Sequence, residues 1–159
     1  IPIEEKSKIE LIIIGDGELR KELKMFVKDL KIDDNVTFKG HMNQNEVLAN
    51  FKDSDLFLFP TLESAGFVVL EAMTYCLPII ALDYGGPKQF IKEGMQEQLV
   101  SAKGDINGIT KELSNKILHF YNNPELRIEI GNNNQISVME NLTWKSKTNY
   151  ILKLYEELA

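Results

Sequence analysis

Short apolar runs alternate with longer stretches of helical periodicity along the chain, and this alternation restricts the fold more than any other feature. Strands that alternate with helices form right-handed crossover units, so they lie parallel with helices on both faces. The sequence therefore predicts an α/β fold, a three-layer α/β/α domain with a parallel sheet. Five runs have the length and composition of buried strands: Ile9–Ile14, Val36–Phe38, Leu56–Phe59, Ile79–Leu82 and Leu99–Val100.

Helices are predicted between these strands and after the last one. The predicted helices between strands are Glu18–Leu30, a helix capped by Asn43 or Asn45 that ends near Asp53, Ala65–Tyr75, and a short helix that Gly85-Gly86-Pro87 opens and that ends near Gly94. Three helices finish the chain, near Asn107–Tyr121, Glu125–Glu140 and Lys145–Leu158. Trp144 is predicted to anchor the final helix by packing.

The ligand crevice of such a sheet lies beyond the carboxyl ends of its strands. The loops at that edge are 15–17, 39–43, 60–66 and 83–88. Gly15 and Gly17 fit a ligand-binding loop and a simple strand-to-helix turn equally well. His41 fits a contact with a nucleotide base and a loop cap equally well.

The segment after Pro60 carries the clearest chemistry. Ser64 is predicted to cap a buried helix, in which Glu71 needs a protein donor or ligand hydroxyls because an unpaired buried carboxylate is costly. Gly66 leaves the amides of the first turn open, and a helix N-terminus favours anions. The helix start suits a diphosphate, Glu71 a ribose, and Glu63 a sugar ring. A nucleotide-diphosphate sugar has its groups in this order.

These residues resemble the signature of the group 1 (family 4) retaining glycosyltransferases. Glu63 and Glu71 have seven residues between them, and Ala72-Met73 and the run 77–81 follow. The resemblance implies a GT-B enzyme with two domains, in which residues 1–159 are the Rossmann-like, donor-binding C-terminal half and the N-terminal acceptor domain is absent. Further parts of the family pattern occur in the same order: Leu11–Gly17, Val36–Gly40, Asp55–Thr61, Gly85-Gly86 and Thr143-Trp144.

The resemblance also implies residue roles. Glu63 contacts the transferred sugar as the catalytic residue, Glu71 contacts the ribose, and the backbone amides near Gly66, Phe67 and Val68 hold the diphosphate. The basic pair that neutralises the diphosphate would lie upstream of Ile1, so the isolated chain is expected to be inactive. No cofactor and no metal are expected.

Four positions depart from the family pattern, while both glutamates of the motif are retained. Ala65 stands where an aromatic residue is common, and Cys76 replaces a usual glycine. Gln89 replaces a glutamate that often follows the double glycine, and Glu97 replaces a glycine. These changes bear more on the identity of the donor than on activity.

The same residues bear on other functions. A dinucleotide-binding oxidoreductase would need a third glycine after Gly15 and Gly17, and residue 20 is arginine. A sugar-nucleotide epimerase and a catalytically inactive partner subunit stay open as alternatives. Asp53-Ser54-Asp55 resembles a metal-binding motif, but it follows a helix and precedes a strand, away from the ligand edge.

Composition limits the partners and the location. A net charge of −6 argues against nucleic acid, which requires a basic surface. The single cysteine, Cys76, excludes a disulfide framework and fits a reducing, bacterial-type cytoplasm. The chain begins Ile1-Pro2-Ile3 close to a predicted core strand, so it is expected to be a piece of a longer protein. That protein would transfer a hexose to a glycan or lipid-linked acceptor in polysaccharide biosynthesis, and peripheral association with the inner face of the membrane is compatible with this.

Overall fold

A computed structural model describes residues 8–91 and 94–158. The chain divides into two compact units, Ile1–Asn50 and Phe51–Ala159. Strands and helices alternate as the sequence predicts: β1 Leu11–Ile14, α1 Arg20–Asp29, β2 Val36–Gly40, α2 Gln44–Lys52, β3 Phe57–Phe59, α3 Phe67–Thr74, β4 Ile79–Leu82, α4 Gly85–Phe90, β5 Leu99–Val100, α5 Ile106–Asn122, α6 Pro124–Ser137 and α7 Trp144–Glu157.

In the first unit, β1 and β2 pair in parallel, with Leu11 opposite Val36. The helix α2 then begins with a reciprocal cap. The Asn43 side chain accepts a hydrogen bond from the Glu46 amide at 3.1 Å, and the Glu46 carboxylate accepts one from the Asn43 amide at 2.8 Å. This arrangement satisfies two backbone donors at the helix start. It confirms Asn43, rather than Asn45, as the capping residue.

In the second unit, β4 lies between β3 and β5, and both pairings are parallel. Every residue of β4 is buried. Ile80 and Leu82 pack in one apolar cluster with residues of α5 and α6. The opposite face of the sheet carries Phe57, whose ring lies 5.3 Å from that of Phe51 at the end of α2. Helices therefore cover both faces of this sheet, as predicted for a three-layer domain.

The strands form two sheets, β1–β2 and β3–β4–β5, rather than the single sheet that the sequence predicts. All of these pairings are parallel, so the prediction of parallel topology is confirmed. An apolar run shows that a strand forms because its side chains are buried. It does not specify the neighbouring strand, which depends on long-range contacts.

A buried polar network joins β4, β5 and α6. The side chains of Gln98 and Asn134 are both fully buried. The Ile79 amide donates to Gln98 Oε1 at 2.8 Å, and Gln98 Nε2 donates to Asn134 Oδ1 at 3.1 Å. Asn134 Nδ2 donates to the Leu77 carbonyl at 2.9 Å and to Gln98 Oε1 at 2.8 Å. This network fixes the entry into β4, and it is not predicted from the sequence.

The end of the chain differs from the prediction. The predicted helix 125–140 is interrupted, because α6 ends at Ser137 and a π-helical turn, Val138–Leu142, follows. The predicted packing of Trp144 is wrong, since its side chain is 89% exposed. The start of α7 is fixed instead by Thr143, whose hydroxyl accepts a hydrogen bond from the Ser146 amide at 3.1 Å.

None of the helices within residues 8–91 and 94–158 has the length and apolar character needed to cross a bilayer.

Candidate functional site

The loop that carries Glu63 ends at Gly66, the residue that caps α3. Gly66 has φ 62° and ψ 36°, a left-handed conformation that glycine adopts without steric strain. Its amide donates a hydrogen bond to Glu63 Oε1 at 3.3 Å. The predicted capping role of Ser64 is wrong, because the chain turns two residues later, at Gly66, and the helix begins at Phe67.

Phe67 and Val68 occupy the first two positions of α3. The amides at these positions have no acceptor within an α-helix, and they lie at the positive end of the helix dipole. Phe67 is 68% exposed. The first residue of α3 is therefore exposed although Gly66 before it is buried, and a helix N-terminus favours an anion.

The prediction that α3 is a buried helix is correct only in part. Only one face, formed by Val69, Ala72 and Met73, is fully buried, because this helix packs on β3, β4 and α6 from one side. Glu71 is half-buried rather than in the core. It lies four residues after Phe67 and so shares the more exposed face of the helix. A carboxylate at this position remains accessible to a ligand.

The loop after β4 runs directly into α4. Asp83 forms an ion pair with Lys88 at 3.0 Å. Gly85 and Gly86 begin the helix, and Pro87 lies in its first turn as predicted. The helix ends at Phe90 rather than near Gly94.

In the first unit, Gly15 and Gly17 surround a structured turn. The Gly15 amide donates to the Gly40 carbonyl at 2.8 Å, so the two loops of this unit meet. The Asp16 carboxylate accepts from the Gly17 amide at 2.9 Å and pairs with Arg20. The hydrogen bond from Gly17, with the Arg20 guanidinium beside it, holds the pKa of Asp16 below its usual value.

Arg20 also reaches the second loop, because its guanidinium donates to the Phe38 carbonyl at 3.4 Å. His41 follows the end of β2 and is exposed. Gly15, Gly17 and His41 thus belong to connected loops of one unit, whereas Glu63, Gly66, Phe67, Val68 and Glu71 lie together in the other. Arg20 is not among the predicted site residues, although its spacing of four residues from Asp16 could have indicated the pair.

One aspartate of the 53–55 motif has a partner in helix α6. Asp55 lies 3.9 Å from the Arg127 guanidinium. In the described parts of the chain, no group of three or more histidine, cysteine, aspartate or glutamate residues is arranged to hold a metal ion.

The fold and the site define a class of protein. The chain has parallel strands, covering helices and a helix start beside an acidic loop. This is the Rossmann-like α/β architecture found as the C-terminal half of GT-B glycosyltransferases. The family described as glycosyl transferases group 1 matches residues 1–137. The chain belongs to the group 1 glycosyltransferase family.

Three similar proteins illustrate the match. An uncharacterized glycosyltransferase of Methanocaldococcus jannaschii, MJ1178, is 29% identical over 148 residues, which cover 92% of this chain and 40% of that protein. The alpha-monoglucosyldiacylglycerol synthase of Streptococcus pneumoniae is 30% identical over 113 residues, which cover 69% of this chain and 25% of that protein. The structure of the pneumococcal O-GlcNAc transferase GtfA in complex with UDP and GlcNAc matches with a TM-score of 0.77 and 22% identity, over 98% of this chain and 31% of that one. The chain therefore spans well under half the length of these proteins.

Proposed function

We propose that this chain forms the donor site of a retaining glycosyltransferase that transfers a hexose from a nucleotide-diphosphate sugar to a glycan or lipid-linked acceptor. The observation that carries the proposal is the geometry at Gly66. Its left-handed turn places the Glu63 carboxylate next to the open start of α3. An acidic group for sugar hydroxyls and the partially positive end of a helix for phosphate thus lie side by side.

Each group has one role in this proposal. The amides of Phe67 and Val68 hold the diphosphate and stabilise the charge that develops on it as the sugar leaves. Glu71 accepts hydrogen bonds from the ribose. Glu63 accepts them from the sugar and orients it. The Gly66 amide bonds to Glu63 in the structure, so it joins the diphosphate site when that carboxylate turns towards the sugar.

From the family resemblance we also propose donor contacts for Gly15, Gly17 and His41 of the first unit, with the nucleotide base as the group that His41 contacts. We propose that neither a metal ion nor a cofactor is required, because the helix start supplies the charge stabilisation. The name of the pneumococcal synthase specifies a glucosylated lipid, and the GtfA structure holds UDP with GlcNAc. The first name supports a lipid-linked acceptor, and the second structure supports a sugar donor carried on a nucleoside diphosphate. We further propose that the donated sugar is a hexose and that transfer takes place in the cytoplasm, at the inner face of the membrane.

Separate substitutions of the two glutamates in the full-length protein test the proposal. Glu71→Gln should weaken both UDP and UDP-sugar binding, since the ribose is common to both ligands. Glu63→Gln should leave UDP affinity unchanged and lower turnover. Each lost charge-assisted hydrogen bond should cost about 1.5–3 kcal/mol, which is about ten- to a hundredfold. Calorimetric titration and nucleotide release measure the two effects, with GDP and GDP-mannose tested in parallel.

Glu129→Gln is the matched control, because Glu129 is exposed on α6 in the second unit. It should change neither binding nor turnover. A large loss of thermal stability in Glu71→Gln with unchanged nucleotide affinity would show that Glu71 is structural and would contradict its assignment. Interconversion of the donor sugar without release of nucleotide would show an epimerase instead.

A further inference from the structure

The loop that carries Glu63 lies directly on the first turn of α4. A methyl group built on Gly86 would lie 1.8 Å from the Ala65 carbonyl oxygen, and one built on Gly85 would lie 2.2 Å from the Glu63 carbonyl oxygen. Real Cβ atoms essentially never come within 3.0 Å of another heavy atom. The backbone of the loop therefore occupies the space that any other side chain at these two positions would need.

The other end of the loop rests on the same turn. A methyl group on Gly66 would lie 3.1 Å from Cδ of Pro87, and Gly86 and Pro87 are both buried. Three consecutive residues of α4 thus contact the backbone of the loop from Glu63 to Gly66. The hydrogen bond between the Gly66 amide and Glu63 is a contact within this loop.

We infer that Gly85 and Gly86 are positioning residues. Because they have no side chains, α4 packs directly against the backbone of the loop, and this packing places Glu63 beside the start of α3. The inference rests on the proposed role of Glu63 in sugar transfer. In this inference the two glycines pack against the backbone of the loop and do not touch the donor. They affect the reaction only through the position of Glu63.

Gly86→Ala tests this with the fewest side effects. Gly86 does not have the left-handed φ of 57° found at Gly85, so alanine there adds bulk without backbone strain. The added methyl group must push the Ala65 carbonyl away by roughly an ångström, and a misplacement of about 1 Å lowers an enzymatic rate by about a hundredfold.

Gly131→Ala is a matched control. Gly131 lies inside α6, and a methyl group there would lie 1.9 Å from the Cys76 carbonyl oxygen. The collision has nearly the same size and again involves a carbonyl oxygen, but it occurs at the other end of α3. The two variants should lose similar stability in urea unfolding, and only Gly86→Ala should disturb the Glu63 loop.

The experiment uses the full-length protein with UDP-glucose, UDP-GlcNAc and GDP-mannose as donor probes. It combines Gly86→Ala and Gly131→Ala with Glu63→Gln and measures kcat and KM for nucleotide release. Hydrogen exchange of the peptide that contains the Gly66 amide gives a readout that is independent of turnover. Pro87→Ala, which removes the ring under Gly66 without adding bulk, is a milder second variant for the case that Gly86→Ala does not fold.

Positioning predicts that Gly86→Ala lowers kcat by about ten- to a hundredfold and accelerates exchange at Gly66, whereas Gly131→Ala does neither. The double variant with Glu63→Gln should be no slower than the slower single variant, because both act on the same group. Pro87→Ala should behave in the same way with a smaller loss. Multiplicative effects of Gly86→Ala and Glu63→Gln, or unchanged kcat and exchange in Gly86→Ala, would overturn the inference while the proposed function stands. Unchanged turnover in Glu63→Gln itself would overturn the proposed role of Glu63 and the inference with it.

Discussion

Asn134→Leu should be strongly destabilising, although leucine has the same number and branching of side-chain heavy atoms as asparagine. The substitution removes the side chain that bonds to the Leu77 carbonyl and to both polar atoms of Gln98. It leaves the Leu77 carbonyl and Gln98 Nε2 buried without these partners. Since each unsatisfied buried group costs about 1–3 kcal/mol, the loss should be about 2–6 kcal/mol. That is a large share of the roughly 5–15 kcal/mol that stabilises a typical domain.

Urea unfolding followed by circular dichroism measures this loss. Asn133→Leu is the matched control, because Asn133 is the preceding residue of α6 and is exposed. The control should lie within about 0.5 kcal/mol of the unmodified protein. If Asn134→Leu costs no more than Asn133→Leu, the network does not stabilise the fold and the reasoning from buried hydrogen bonds is refuted.

The double variant Gln98→Leu/Asn134→Leu separates the network from a simple loss of packing. Gln98→Leu alone leaves the Ile79 amide and part of the Asn134 amide unsatisfied. In the double variant both polar side chains are absent, so neither of them is left buried without its partner. Its loss should therefore be smaller than the sum of the single losses, by about 1–3 kcal/mol. Strictly additive losses would show that the two side chains act independently.

Three further predictions follow from the structure. Cys76 has φ 58°, a conformation that costs a residue other than glycine roughly 1–2 kcal/mol. Glycine avoids this cost but loses about 0.4–1 kcal/mol through the greater entropy of its unfolded chain. Cys76→Gly should therefore raise the free energy of unfolding measured in urea, whereas Cys76→Ala should not. The pKa of Asp16 lies below its ordinary value. The contribution of Asp16 to stability is therefore present above the unfolded-state pKa of about 3.9 and is lost as the pH falls through the folded-state pKa. An NMR titration midpoint at or above the ordinary value, or unchanged acid unfolding of Asp16→Asn, would contradict this. Residues 1–159 alone should release no nucleotide from UDP-glucose or GDP-mannose, and release above a buffer control would show that the chain is sufficient for catalysis.

The strands were predicted well where burial is strongest. The predicted run Ile79–Leu82 coincides with β4, because a central strand buried on both faces must be apolar at every position. Ile9–Ile14 and Leu56–Phe59 were predicted one or two residues too long, since apolar side chains extend beyond the paired backbone. Local composition determines which segments become strands, but the pairing of those strands depends on the rest of the chain.

The incorrect predictions concern residues whose structural role depends on the conformation or packing of neighbouring residues. Ser64 has the side chain of a helix cap, but the left-handed turn at Gly66 moved the helix start beyond its reach. Trp144 was expected to pack because tryptophan is large and apolar, yet α7 begins at a threonine cap and leaves it exposed. Glu63 was assigned correctly to the loop before the helix. Its hydrogen bond with the Gly66 amide required the geometry of the turn and could not be read from spacing.

The structure separates the four departures from the family pattern into two kinds. Cys76 follows the end of α3 opposite Gly66 and is held in a left-handed conformation, so a residue other than glycine there costs stability. Glu97 lies in a short turn before β5 without a left-handed φ, and its carbonyl accepts a hydrogen bond from Lys116 at 2.8 Å, so its backbone does not require glycine. Ala65 is different, because it belongs to the loop between Glu63 and α3. Gln89 lies in the short helix that supports this loop. If the proposed function holds, substitutions at Ala65 and Gln89 should alter donor preference, whereas exchange of Cys76 for glycine should change stability and leave donor preference unaltered.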